Sequence, residues 1–174
     1  MQCREHLETY LQERRIPFQL MHHPRALSAQ EVAASEHVSG HRVAKTVIAW
    51  ADEHLIMLVL PASLWVDFNQ VREALGARVV RLANEQEFSA LFADCEPGAM
   101  PPFGNLYGLP TYIDPHLSEE KEIIFPAGTH TETIQLKYAD FARLVHPLVI
   151  PKEYEMAMKR LKQGRSPAHR FSFT

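Results

Sequence analysis

The stretch HRVAKTVIAWADEHLIMLVLP, residues 41–61, decides the fold. Two runs of β-branched and large apolar residues, Thr46–Trp50 and Leu55–Leu60, flank the polar Asp52-Glu53-His54. This pattern predicts a β-hairpin, because β-branched residues favour strands and short polar segments favour turns. Near-continuous apolar runs are typical of strands covered on both faces, so the hairpin is expected in the centre of the fold. Lys45 precedes the first run and is therefore expected where the buried sheet meets solvent.

Length and charge indicate one domain followed by a basic extension. The chain has 174 residues, of which 46% are hydrophobic and 22% charged, enough for one sizeable core. The net charge of −3 divides into −7 over residues 1–150 and +4 over residues 151–174. We therefore expect a domain at 1–150 and a basic C-terminal helix and tail at 151–174, with an amphipathic helix over 152–163. The bulk charge gives no indication of a nucleic-acid partner, and no DNA partner is expected.

The cysteines and histidines show no spacing typical of a metal site or of a disulfide framework. Cys3 and Cys95 are far apart and form no CxxC motif. His22-His23 point to opposite faces of a strand, and Gly40 interrupts the pair His37 and His41. No apolar run approaches the length of a membrane span, and no signal peptide is evident. We expect a cytoplasmic protein with free thiols, no metal, no cofactor and no membrane partner.

The remaining elements follow from periodicity and end signals. Ser28 opens a capping box, and Asp67 begins an apolar-periodic segment that ends at Gly76. The pattern predicts helices at 3–15, 28–37, 67–76, 84–92 and 138–145, and strands at 18–22, 78–82, 111–114, 122–125 and 131–136.

Residues 94–110, DCEPGAMPPFGNLYGLP, predict a long, stiff, irregular loop. Its three glycines and four prolines exclude regular structure, and its prolines and aromatic residues argue against disorder. A loop of this length is typical of a functional segment, although an ordered connector is the alternative. The chain contains no GxSxG, HExxH, GxGxxG or GxxxxGK[ST] motif, so it offers no familiar nucleophile, zinc site or phosphate loop.

Three motifs in order resemble the YbaK/ProX family of aminoacyl-tRNA deacylases, which includes the editing insertion of bacterial prolyl-tRNA synthetases. They are Lys45 in VAKTVIAW, the GxxxPxG loop at 98–104 and the turn Gly128-Thr129-His130. The resemblance covers residues 1–148. It implies a mixed α/β (α+β) fold with a curved, barrel-like central sheet surrounded by helices. It also implies a free-standing enzyme that hydrolyses the ester of mischarged aminoacyl-tRNA, typically a small amino acid on proline tRNA.

The resemblance also implies the site. Lys45 matches the essential lysine, and the pocket is expected to be formed by Gly98, Met100, Pro102, Phe103, Gly104, Gly128, Thr129 and His130. Because an aminoacyl ester is already activated, a positioned water can attack it without a covalent intermediate. Lys45 could hold the terminal adenosine phosphate or the developing oxyanion, and His130 could orient water or shape the pocket. The proline-rich loop could exclude larger amino acids by size.

A binding module is the alternative to an enzyme. A catalytically silent domain of this family would recognise tRNA or a synthetase without turning over ester. The sequence leaves open which amino acid and tRNA are edited, whether the protein docks on a synthetase, and its oligomeric state.

Overall fold

The computed structural model describes residues 2–25, 31, 33–34, 39–154 and 157–159. Helices α1 to α5 span Cys3–Glu13, Phe68–Leu75, Glu85–Phe88, Pro115–Ser118 and Tyr138–Val145, with a 3-10 turn at Gly104–Leu106. Strands β1 to β10 span Gln19–His22, Ala44–Ala51, His54–Pro61, Leu64–Val66, Val80–Leu82, Thr111–Ile113, Glu122–Thr129, Glu132–Lys137, Leu148–Val149 and Ala157–Lys159. Most of the helix predicted at 28–37 lies outside the described residues. No helix in the described ranges is long and apolar enough to cross a membrane.

The strands form a five-stranded sheet of order β5-β2-β3-β6-β9, a three-stranded sheet of order β1-β8-β7 and the pair β10-β4. The larger sheet is mixed, because β2 and β3 are antiparallel whereas β3 and β6 are parallel. A parallel bridge between Val43 and Ile124 joins the two main sheets, where the Ile124 N–H donates to the Arg42 carbonyl at 2.9 Å. The predicted mixed α/β fold is confirmed. Over the described residues the sheets meet at this bridge without closing into a barrel.

The central hairpin is confirmed. Its register runs from Ala44 opposite Pro61 to Ala51 opposite His54. The carboxylate of Asp52 accepts the backbone N–H groups of Arg78 and Val79 at 2.9 and 3.0 Å, which ties the hairpin turn to the segment before β5. The hairpin therefore anchors the edge strand β5 as well as the centre of the sheet.

The hairpin separates two cores because successive side chains of a strand point to opposite faces. One face carries Ile48 and packs on the main core, which includes Met57, Val59, Met100, Phe103, Phe125 and Phe141. The other face carries Ala49 and packs on the second core, which includes Leu58, Leu60, Leu64, Val66 and Val71. By this alternation, Lys45 lies on the face of the second core and Thr46 on the face of the main core.

Helix ends follow the capping signals, with one correction. The Asp67 carboxylate accepts the N–H groups of Asn69 and Gln70, and Gly76 ends α2 at a φ of 63°. Asn84 caps α3 as predicted, but the helix ends at Phe88 and does not reach Phe92. From that point the backbone makes i to i−3 bonds, and Phe92 packs on Tyr107 with ring centroids 4.3 Å apart.

The helix predicted over 152–163 is wrong for Ala157–Lys159, which form strand β10. β10 pairs with β4, placing Met158 opposite Trp65. Backbone pairing of this kind satisfies the N–H and C=O groups that an edge strand such as β4 would otherwise expose. Residues 160–174 lie outside the described part of the chain, so the predicted basic tail is not described beyond β10.

Candidate active site

Two of the predicted motifs are joined by hydrogen bonds. The Glu96 N–H donates to the Gly128 carbonyl at 2.8 Å, and the Gly128 N–H donates to the Ala99 carbonyl at 2.9 Å. The His130 N–H donates to the Glu96 carboxylate at 2.9 Å, and Nε2 of His130 donates to the Pro97 carbonyl at 2.7 Å. Segments 96–99 and 128–130 therefore form one hydrogen-bonded unit, although about 30 residues separate them in the chain.

The side chain of His130 is buried in this unit, with 8% of the residue's surface exposed. A carbonyl oxygen can only accept, so the bond to Pro97 places a proton on Nε2. In the neutral ring Nδ1 is then the acceptor.

Strand β7 runs through Thr129 and so extends beyond its predicted end at residue 125, which makes the connection to β8 shorter than predicted. A register shift in its pairing with β8 lies between Pro126 and Thr129. The Thr129 hydroxyl donates to the Glu132 carboxylate at 3.2 Å.

The glycines of the two segments have different environments. Gly128 has a φ of 96°, and a Cβ there would lie 2.5 Å from Cβ of Cys3. Only glycine permits this approach of α1 to β7. Gly98 has a φ of 82°, and a Cβ there would lie 3.5 Å from Cε1 of His130, which is ordinary contact. Gly98 is thus needed for the backbone conformation, whereas Gly128 is needed for both conformation and space.

The expectation of two free thiols is wrong, because Cys3 and Cys95 form a disulfide with their Cα atoms 5.2 Å apart. The spacing of 92 residues gave no sign of it, since folding alone brings α1 onto the loop. The Tyr107 hydroxyl lies 3.5 Å from Sγ of Cys3 and 3.4 Å from Sγ of Cys95. Burial, with a smaller contribution from the Asp94 charge, raises the pKa of Tyr107 to about 12. The loop is therefore fastened to α1 directly before Glu96.

Several loop residues predicted to line the pocket lie in the core. Phe103 is fully buried, with its ring centroid 5.4 Å from that of Phe125 and 5.5 Å from that of Phe141. Met100 is also buried in this core, and so is Pro102. A Cβ on Gly104 would lie 2.2 Å from Oγ1 of Thr111. Phe103 and Gly104 therefore support the loop from the side of the core, whereas Met100 packs in the core and also lines the cleft described next.

A cleft of about 200 Å³ lies on the outer side of the same loop. Pro97 and Met100 of the loop line it, together with Phe88 and Phe92 from the segment before the loop. The eight described residues that line it include neither Lys45 nor His130. The cleft therefore borders the hydrogen-bonded unit described above, because Pro97 belongs to both.

The ammonium of Lys45 contacts an aromatic ring. It is the second residue of β2, opposite Leu60, and is half-buried. Its Nζ lies 4.8 Å from the centroid of the Trp65 ring, within the range of a cation–π contact. Lys45 thus stands near the start of β2, close to the bridge at Val43 where the two main sheets meet.

The family of the chain follows from its similarity to known proteins. Residues 23–144 match the family model described as the aminoacyl-tRNA editing domain. The chain belongs to this family. The resemblance drawn from Lys45, the GxxxPxG loop and the Gly-Thr-His turn is thereby confirmed.

Individual relatives agree with the editing-domain family. Over 96 residues the chain is 32% identical to the multifunctional Ser/Thr-tRNA deacylase ProXp-y of Escherichia coli strain K12, covering 55% of this chain and 57% of that protein. The chain therefore matches less than two thirds of that relative's length. A crystal structure described as a candidate trans-editing enzyme for prolyl tRNA synthetase aligns with a TM-score of 0.72 at 18% identity, covering 84% and 94% of the two chains. A crystal structure of a hypothetical protein aligns with a TM-score of 0.74 at 21% identity, covering 82% and 95%.

Three further residues lie beside the predicted site residues in the chain or in space, and the sequence did not mark them as candidates. Glu96 binds the His130 backbone, and Trp65 contacts Lys45. The hydroxyl of Thr46 is buried and has no hydrogen-bond partner among the described residues. Alternation along β2 could have placed Thr46 on the main-core face, but no signal marked Trp65 or Glu96, because their contacts arise only from the tertiary fold.

Proposed function

We propose that this editing domain hydrolyses the ester bond of a mischarged aminoacyl-tRNA. The observation that carries the proposal is the hydrogen-bonded unit of segments 96–99 and 128–130, built from the two motifs that mark the family. It supplies a rigid backbone wall at which an aminoacyl group can be positioned. Rigid positioning is what the reaction needs most, since the ester itself is already reactive.

The proposed reaction is a direct hydrolysis. Water attacks the ester carbonyl carbon, the carbonyl oxygen becomes an oxyanion, and the bond to the ribose oxygen then breaks. The proton that the attacking water loses is balanced by one that passes to the ribose oxygen, and the products are a free amino acid and tRNA. His130, held in place by the bond from Nε2 to the Pro97 carbonyl, is the side chain that orients the attacking water in this scheme. No metal takes part in this scheme, so a chelator such as EDTA should leave the rate unchanged.

Lys45 supplies the positive charge of the proposed site. Its ammonium binds either the phosphate of the terminal adenosine or the oxyanion that forms in the transition state. Minimal substrates separate the two roles. If Lys45 binds phosphate, Lys45→Ala should slow an aminoacyl-adenosine 5′-phosphate but not the aminoacyl-adenosine that lacks this phosphate. If Lys45 binds the oxyanion, both substrates should slow equally.

The proposed substrate class is a small amino acid, carried on proline tRNA or on another tRNA. The relative's name, a Ser/Thr-tRNA deacylase, favours including seryl and threonyl esters with alanyl and cysteinyl esters in the first test. A single-turnover panel of these mischarged tRNAs, with cognate prolyl-tRNA as the control, measures both activity and selectivity. Binding without hydrolysis of any member would instead indicate the silent tRNA- or synthetase-binding module.

The basic C-terminal segment has a proposed role in tRNA binding. The segment contains Lys159 in β10 and, after it, four further cations, Arg160, Lys162, Arg165 and Arg170, and it follows a body that is acidic overall. Cations of this kind bind the phosphate backbone without regard to sequence, and such binding weakens as salt rises. Replacing all four with Gln in the full-length chain should weaken tRNA binding and flatten its salt dependence. Hydrolysis of aminoacyl-adenosine should not change, because that substrate lacks the tRNA body.

A further inference from the structure

The C-terminal segment reaches the neighbourhood of Lys45 from outside the family domain. The family match ends at residue 144, whereas β10 lies at Ala157–Lys159. β10 pairs with β4 so that Met158 is opposite Trp65, and Trp65 in turn contacts Lys45. Strand β10, which lies beyond the matched domain, therefore pairs with the strand that carries the residue in contact with Lys45.

The burial of β4 shows which way Trp65 points. Leu64 and Val66 are buried in the second core, with 3% and 7% of their surfaces exposed. Trp65 lies between them and is half-buried, so its side chain leaves β4 on the opposite side. Its ring lies 4.8 Å from the ammonium of Lys45, and Trp65 is not among the residues of the second core.

We propose that Trp65 is a positioning residue for Lys45, and that β10 holds Trp65 in place. A lysine side chain has four rotatable bonds, so each contact that its ammonium makes reduces the number of positions it samples. An aromatic face restricts these positions while leaving the positive charge available to a phosphate or an oxyanion. This inference rests on the proposed role of Lys45, and it makes the C-terminal segment part of the catalytic unit.

Two substitutions of Trp65 separate aromatic contact from mere packing. Trp65→Phe keeps an aromatic face, whereas Trp65→Leu keeps apolar bulk and removes the face. We expect Trp65→Leu to lower kcat/KM for aminoacyl-tRNA by about tenfold and Trp65→Phe to stay within about threefold of wild type. Thermal melting of both variants should be similar, because the ring is not part of the second core.

A double variant distinguishes a positioning role of Trp65 from a purely structural one. If Trp65 acts only through Lys45, Trp65→Leu should have no further effect on kcat/KM once Lys45→Ala is present. Equal and additive losses would instead show that Trp65 acts independently of the lysine, which would overturn the inference.

The role of β10 is tested in the full-length chain. Met158→Pro removes a backbone N–H and disrupts the pairing with β4. It should reproduce the kcat/KM of Trp65→Leu, whereas Met158→Ala, which keeps the backbone N–H at the same position, should match wild type.

The outcomes distinguish this inference from the proposed function. Loss of activity in Lys45→Ala together with wild-type activity in Trp65→Leu would overturn the positioning role and leave the deacylase proposal intact. Wild-type activity in Met158→Pro would overturn the role of β10. Wild-type activity in Lys45→Ala would remove the lysine from the mechanism and this inference with it.

Discussion

Nε2 of His130 donates a 2.7 Å hydrogen bond to the carbonyl oxygen of Pro97, joining two segments that the sequence presents as separate motifs. The bond fixes the ring tautomer and closes the wall formed by segments 96–99 and 128–130. The family motifs are therefore parts of one structure, and a change in either should affect both.

Replacing His130 tests this wall. His130→Ala removes the donor to Pro97 and the proposed water-orienting side chain, so we expect the deacylation rate to fall about 100-fold. The loss of one buried hydrogen bond should lower the free energy of unfolding by only about 1 kcal/mol. Single-turnover rates and denaturant unfolding measure the two effects. A rate within twofold of wild type would leave His130 with a packing role alone.

The glycines of the loop allow a matched test of space. Gly104→Ala places a Cβ 2.2 Å from Oγ1 of Thr111 and 2.5 Å from the Leu109 carbonyl oxygen, so we expect a loss of about 2–4 kcal/mol of stability. Gly108→Ala is the control in the same loop. It meets no atom within 4 Å but has a φ of 68°, so only the backbone conformation opposes it, at about 1–2 kcal/mol. Equal losses in the two variants, measured by urea unfolding, would contradict the close contact at Gly104.

The disulfide between Cys3 and Cys95 should contribute measurably to stability. It closes a long loop, and the double variant Cys3→Ser/Cys95→Ser should lose about 2–5 kcal/mol under non-reducing conditions. With a dithiol reductant present, wild type and the double variant should unfold at nearly the same denaturant concentration. Alkylation of two thiols in the non-reduced, unfolded wild type would show that the bond is absent.

The ion pair of Arg81 and Glu87 predicts a pH dependence. Hydrogen bonds from the Arg81 guanidinium and then from the Asn84 backbone lower the pKa of Glu87 from 4.5 to about 2. A lowered pKa in the folded state stabilises the protein above pH 4.5, and this contribution is lost as the pH falls from 4.5 through 2. We expect wild type to melt above Glu87→Gln at pH 6 and the difference to shrink towards pH 2. A difference that does not vary with pH would contradict this origin.

Local sequence patterns predicted most helices and strands, whereas the features that depend on tertiary contacts were not predicted. Alternation and turn chemistry located the central hairpin, and Asp67 and Gly76 located both ends of α2. The short strands β4 and β9 were missed, because two or three residues carry no periodicity. The register shift in β7 was missed too, although Gly128 marked its place.

The candidate site was predictable in part. The motifs indicated Lys45 and the loop and turn residues, and the structure brings Gly98 and His130 together. The contacts of Lys45 with Trp65, of Glu96 with His130 and of Cys3 with Cys95 each join distant segments. A single sequence contains no local signal for such contacts. The motif also could not show that Phe103 and Met100 lie in the core, because apolar residues suit a pocket wall and a core equally.

The most direct test of the account is the activity of Lys45→Ala on a mischarged tRNA. We expect the single-turnover rate to fall about 100-fold and the melting curve to stay unchanged. A half-buried lysine at the start of a strand supplies charge to the reaction and contributes little to stability. Lys121→Ala, which removes an exposed lysine, should keep the wild-type rate. A wild-type rate for Lys45→Ala would contradict the central claim that this lysine serves the hydrolysis.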